Sequence, residues 1–79
     1  MLARVYVTLK PGVLDPAGKA VEGSLHALGF AHVSGVRLGK YIELQLPDGT
    51  GAEAHAQVEE MCRKLLANTV VENFRVEIG

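Results

Sequence analysis

Seventy-nine residues, 48% of them apolar, supply one hydrophobic core and one domain spanning residues 1–79. Eight basic residues against nine acidic ones leave a net charge of −1, so there is no cationic surplus for nucleic acid or acidic lipid. Cys62 is the single cysteine, which excludes an internal disulfide, and no paired Cys/His spacing offers a zinc site. A domain of this size buries only about 60% of the surface that its unfolded chain exposes. With disulfides and structural metal set aside, a partner chain is the remaining source of burial. A lone thiol in a helical pattern, and a strand pattern that follows Met1 directly, point to a reducing, cytoplasmic setting. No apolar run approaches the roughly 20 residues needed to span a bilayer.

Ala3, Val5, Val7 and Leu9 alternate with Arg4, Tyr6, Thr8 and Lys10, the period of a strand with one buried face. Lys10–Leu14 breaks that pattern, and Asp15-Pro16 supplies an N-cap followed by proline at the first helical position. The first helix carries its apolar stripe at Val21, Leu25 and Leu28, and Gly29 is placed to end it in the left-handed region. A second strand is expected from His32 to Leu38, with Gly35 as a bulge and Gly39-Lys40 as a tight connection. Ile42, Leu44 and Leu46 then alternate with Tyr41, Glu43 and Gln45 in a third strand, ended by Pro47-Asp48-Gly49. Thr50 and Glu53 have capping-box spacing and open a second helix, with Ala54, Val58, Met61 and Leu65 as its stripe and Asn68 at its close. Val70, Phe74, Val76 and Ile78 mark a last strand.

The order βαββαβ predicts an α+β, ferredoxin-like sandwich: a four-stranded antiparallel sheet with two helices on one face. Its other face would carry Arg4, Tyr6, Thr8, Tyr41, Glu43, Gln45, Asn73 and Arg75. Tyrosine and arginine are enriched at interface cores, so Tyr6, Tyr41, Arg4 and Arg75 are the candidates for a homo-oligomer face.

No catalytic set assembles from these residues. His26, His32 and His55 fall on different elements, and Glu22/His26 or His55/Glu59 would supply two ligands where a metal site needs more. Cys62 has no base and orienting group beside it in the pattern. The loop KPGVLDPAG, Lys10 to Gly18, leads to a helix N-terminus, but Pro11 and Pro16 remove donors and Asp15 places a negative charge at its mouth. An acylphosphatase-like enzyme of the same topology would need an arginine in that loop. An RNA-binding relative would need more strand aromatics in a basic surround.

The segments VYVTLKPGVLDPAGKAVEGSLHALG (Val5–Gly29), VRLGKYIEL (Val36–Leu44) and VEEMCRKLLANTVVENFRVE (Val58–Glu77) together closely resemble the PurS family. Thr69 departs from the proline that often follows asparagine there. The resemblance implies a small, non-catalytic subunit of phosphoribosylformylglycinamidine synthase, a ligase of de novo purine biosynthesis. In that complex, which uses ATP and Mg, a large synthetase subunit (PurL) and a glutaminase subunit (PurQ) are the partners. The resemblance implies that the small subunit bridges them, supports ammonia transfer, and forms a homo-dimer or homo-tetramer. On that basis Lys10, Asp15, Arg37, Lys40 and Asn68, in matched loops and turns, are the candidate partner contacts. A free-standing small-ligand regulatory domain, or an acylphosphatase-like enzyme, is the alternative that the fold leaves open.

Overall fold

Ala3, Val5 and Val7, which the alternation puts on one side of the first strand, are 0–1% exposed. In the computed structural model, which describes residues 1–79, that strand is β1 (Leu2–Leu9), and it occupies the centre of the sheet. β2 (Gly39–Gln45) and β3 (Glu72–Ile78) flank it, both antiparallel, in the order β2-β1-β3. Tyr6 lies opposite Tyr41 on one side and Arg75 on the other, so the register brings the predicted polar face together across all three strands.

Helix α2 (Gly51–Met61) covers the apolar face. The Thr50 hydroxyl accepts the Glu53 N–H at 3.2 Å, as the capping spacing requires. The box closes only in half, because the Glu53 carboxylate takes the Thr50 hydroxyl rather than the Thr50 backbone N–H. Ala54, Val58 and Cys62 form the buried stripe with β1. Each fully buried side chain of Val size contributes about 1.5–3 kcal/mol. The expected stripe is corrected at its C-terminal end. Residues Cys62–Leu66 form a π-turn, with the Ala67 N–H on the Cys62 carbonyl. The wider turn rotates Leu65 to 83% exposure and leaves Leu66 against the core. The helix therefore ends at Leu66, and Asn68 organises the turn that follows: its carbonyl accepts Val71 and Glu72.

Helix α1 (Pro16–Ala27) starts and stops as its sequence dictates. Asp15 caps it, and Gly29 at φ +101° lets the Phe30 N–H return to the Leu25 carbonyl. It does not, however, pack extensively on the sheet or on α2. The four-stranded sandwich with both helices on one face is thus corrected within a single chain: the sheet has three strands, and His32–Leu38 pairs with none of them. Two local causes are visible. The N–H groups of Val36 and Leu38 are taken by the carboxylates of Glu22 and Asp15, which ties this segment to α1. Gly39 is already the first ladder residue of β2, opposite Thr8, so no turn forms at Gly39-Lys40. A Cβ at Gly39 would lie 2.4 Å from the Val7 carbonyl oxygen, so only glycine fits there. Residues 10–38 consequently form an arm that extends the molecule to 48 × 24 × 14 Å.

Candidate partner-binding surfaces

The arm is held together by its own charged groups. Asp15, 5% exposed, accepts the N–H of Gly18 at 2.8 Å through Oδ1 and that of Leu38 at 2.9 Å through Oδ2. Those two backbone bonds, Gly18 first, hold its carboxyl below the usual carboxylate range, with the Arg37 guanidinium adding to the effect. Arg37 donates to the carbonyls of Val13 at 3.0 Å and Lys10 at 3.1 Å, bracing the loop that Pro11 and Gly12 turn. Glu22 accepts the Val36 N–H at 3.2 Å, which also lowers its pKa, and His26 Nε2 lies 2.6 Å from the Val33 carbonyl.

Four of the five loop and turn candidates have assigned work inside the chain. Asp15 and Arg37 shape the arm. Lys40, at the start of β2, faces Glu72 at 3.9 Å and the Leu66 carbonyl at 3.4 Å. Asn68 accepts the Val70 N–H and donates its own to Glu72. Only the Lys10 ammonium, beside the braced loop, makes no hydrogen bond in the chain, and the loop itself is anchored by the Lys10 N–H to the Val71 carbonyl at 2.8 Å. Lys10, Asp15 and Arg37 come together at one end of the arm, Lys40 stands at its junction with the sheet, and Asn68 lies on the turn before β3.

The polar sheet face is a second, connected surface. Tyr6 and Tyr41 pack with ring centroids 5.2 Å apart, and the Arg75 guanidinium sits 4.2 Å above the Tyr6 ring. Glu77 accepts from Arg75 and from the Tyr6 hydroxyl, and these two bonds keep its carboxyl low. The Tyr41 hydroxyl donates to Glu43 at 2.8 Å, which pushes its pKa up. Arg4 lies opposite Glu43 and Glu77 in the two ladders. Cations and anions of this face are therefore interleaved over an aromatic centre.

Sequence reasoning missed Glu22 and Gly18. The sequence offers Glu22 only as half of a metal pair with His26, whereas both bond to the segment that follows the helix. Gly18 lies so close to the Val36 carbonyl that a Cβ would come within 2.5 Å of it, and the signal was a glycine in a first helical turn three residues after its cap. No group of three or more His, Cys, Asp or Glu side chains converges to hold a metal ion, and no helix is long and apolar enough to cross a membrane.

Charged groups spent on shaping an arm, and an aromatic and apolar surface left on display, define a small α+β protein built for association. The comparisons particularise it. Residues 2–79 match the family described as PurS: Phosphoribosylformylglycinamidine (FGAM) synthase, and the chain belongs to that family. It is 57% identical over 75 residues to the phosphoribosylformylglycinamidine synthase subunit PurS of Synechocystis sp., covering 95% of this chain and 75% of that one. The solved Bacillus subtilis PurS superposes with a TM-score of 0.83 at 47% identity, over 96% of this chain and 94% of that one. A chain in the structure of PurLQS from Thermotoga maritima gives a TM-score of 0.83 at 32% identity, over 98% of this chain and 96% of that one. Coverage this complete includes the arm as well as the sheet.

Proposed function

We propose that this single-domain chain is the small subunit of a cytoplasmic FGAM synthase complex in purine biosynthesis, and that it bridges the ATP-dependent synthetase subunit and the glutaminase subunit. The observation that carries the reading is the full-length likeness to a PurLQS chain, arm included. ATP and Mg belong, on this reading, to the large subunit. The small subunit contributes geometry: it docks the glutaminase and keeps the ammonia path closed to water, where protonation would remove the nucleophile.

The arm loop is the proposed contact with the larger subunits. Lys10 offers an ammonium with no partner in the chain for a partner carboxylate, while Asp15 and Arg37 hold the loop carrying it. Lys40 and Asn68 are proposed to contact partners at the arm junction and at the turn before β3. The face around Tyr6, Tyr41, Arg4 and Arg75 is proposed as a self-association surface of a homo-dimer or homo-tetramer, since its interleaved charges are complementary to their own two-fold copy.

The test compares glutamine-dependent and ammonia-dependent amidine formation by purified large and glutaminase subunits, with and without this chain. A large rise in the glutamine-dependent rate with little change in the ammonia-dependent one is expected. No complex and no change in either rate would overturn the reading.

A further inference from the structure

We infer that Asp48 is a covalent modification site: its side chain closes on the Gly49 backbone nitrogen to a cyclic imide, whose hydrolysis leaves an isoaspartyl link just ahead of α2. The inference is independent of the assembly reading. It rests on the opposite settings of the two aspartates of the chain.

Asp15 is shut off from this chemistry. It is buried, each of its carboxylate oxygens holds a backbone N–H, and the residue after it is Pro16, whose nitrogen has no hydrogen to give up. Asp48 differs in every one of these respects. Its side chain is fully exposed, and its one contact is the Met1 ammonium at 3.5 Å, too long for a firm hydrogen bond. The residue after it is Gly49, the least hindered nitrogen that a chain can offer, because no Cβ screens it.

The backbone is free there as well. The N–H and carbonyl of Leu46 both bond to Met1, while the carbonyl and hydroxyl of Thr50 both serve the start of α2. Between these two pins, Pro47, Asp48 and Gly49 make no backbone hydrogen bond, so the Gly49 N–H has no acceptor to leave. A Cβ built at Gly49 meets no heavy atom within 4 Å, which gives the ring room to close. Exposed loop tips of this kind open most easily, since nothing buried is lost when they move.

The chemistry balances without a co-reactant. The Gly49 nitrogen attacks Cγ of the protonated carboxyl: an N–Cγ bond forms, a Cγ–O bond breaks, and the amide hydrogen leaves with the hydroxyl as water. One water then opens the imide. Cleavage at Cγ restores aspartate, whereas cleavage at the main-chain carbonyl carbon routes the backbone through Cβ and Cγ and frees an α-carboxylate. The charge is unchanged, but the connection from β2 to the Thr50 cap gains one backbone atom. The freed carboxylate is the group that an isoaspartyl carboxyl methyltransferase esterifies from S-adenosylmethionine, and that reaction supplies the probe.

The full native chain is aged for weeks at neutral pH and physiological temperature, labelled with methyl-tritiated S-adenosylmethionine and such a methyltransferase, and cut with trypsin. Label is expected in the peptide Tyr41–Arg63, which contains no other aspartate and no asparagine. Asp48→Glu, whose ring would be one atom larger and closes far less readily, is expected to lose that label. Asp48→Asn, which reaches the same imide by releasing ammonia, is expected to gain it sooner. An aged native chain without label in this peptide overturns the inference, as does label that survives Asp48→Glu. Label that appears only after ageing in guanidinium chloride also overturns it, since the folded loop would then be what prevents the ring from closing.

Discussion

Asp15 and Leu38, 23 residues apart in the chain, are joined by a 2.9 Å hydrogen bond from the Leu38 N–H to Oδ2, while Oδ1 caps the helix between them. One carboxylate thus starts α1 and fixes where the chain returns to the sheet. The cap was expected of Asp15; the long-range bond is what makes the arm a unit.

Asp15→Ala removes both bonds. Losing the cap costs about 0.5–2 kcal/mol, and the part-buried Leu38 N–H left without an acceptor adds on the order of 1 kcal/mol. Asp15→Asn retains one acceptor and should lose less, since its amide nitrogen cannot serve the second N–H. Urea unfolding should rank the native chain, Asn and Ala in that order. Equal midpoints for the native chain and Ala would show that the arm is not held through this carboxylate.

Glycine substitutions should separate by local space. Gly18→Ala and Gly39→Ala put a Cβ 2.5 Å and 2.4 Å from backbone carbonyl oxygens, so backbone must move. A loss of about 1–3 kcal/mol each is expected, as for other overpacked sites. Gly23, inside α1 with nothing within 4 Å, should behave oppositely, gaining about 0.5–1 kcal/mol as alanine. Thermal melting of the three variants checks the ranking.

The sequence made the local structure legible wherever a short-range rule decides it. The alternation at Ala3, Val5 and Val7, the Asp15 and Thr50 caps, and the left-handed Gly29 all stand as read. What it did not reveal depends on relations between distant groups. Residues 32–38 have strand composition, but whether they fold back on their own β2 turns on Gly39 already pairing with Thr8 and on two carboxylates of α1. The π-turn at Cys62 likewise has no period of its own in the sequence. Of the candidate contacts, Tyr6, Tyr41, Arg4 and Arg75 were found together because strand alternation suffices for that. The bracing role of Arg37 required the loop's actual path.

Acid should weaken both the arm and the polar sheet face. Asp15, Glu22 and Glu77 all have folded pKa values below their ordinary ones. The unfolded chain therefore binds more protons as pH falls, and stability drops in that direction. The contribution is fully present above the unfolded values of about 4 and is lost as pH falls through the lower folded ones. Denaturant midpoints should be flat from pH 7 to 5 and decline below about 4, with a smaller decline in Asp15→Asn. A midpoint insensitive to pH in that lower window would contradict the assignment.

Cys62 is fully buried, and burial pushes its thiol pKa up. It should react with a thiol reagent only on opening of α2, so labelling in native buffer should track the unfolding equilibrium and become immediate in denaturant. Fast labelling of the folded chain would mean that the π-turn opens on its own.

The sheet face offers a test in which stability and assembly part company. On an exposed surface, the stacking of Arg75 on Tyr6 is worth about 0.5–1 kcal/mol, rising to about 2 or more where water is excluded. Arg75→Ala in a face that stays wet should shift unfolding slightly and leave the oligomer intact. In a face covered by a second copy it removes the stacked cation and leaves Glu77 and the Tyr6 hydroxyl facing the partner without it. The dissociation constant should then rise about ten-fold or more, by the relation of 1.4 kcal/mol to a factor of ten. Arg75→Lys, which keeps the charge but not the planar fork, should recover part of the loss. Sedimentation of the three proteins across a dilution series reads the effect, and an unchanged dissociation constant for Arg75→Ala would assign this face to another partner or to solvent.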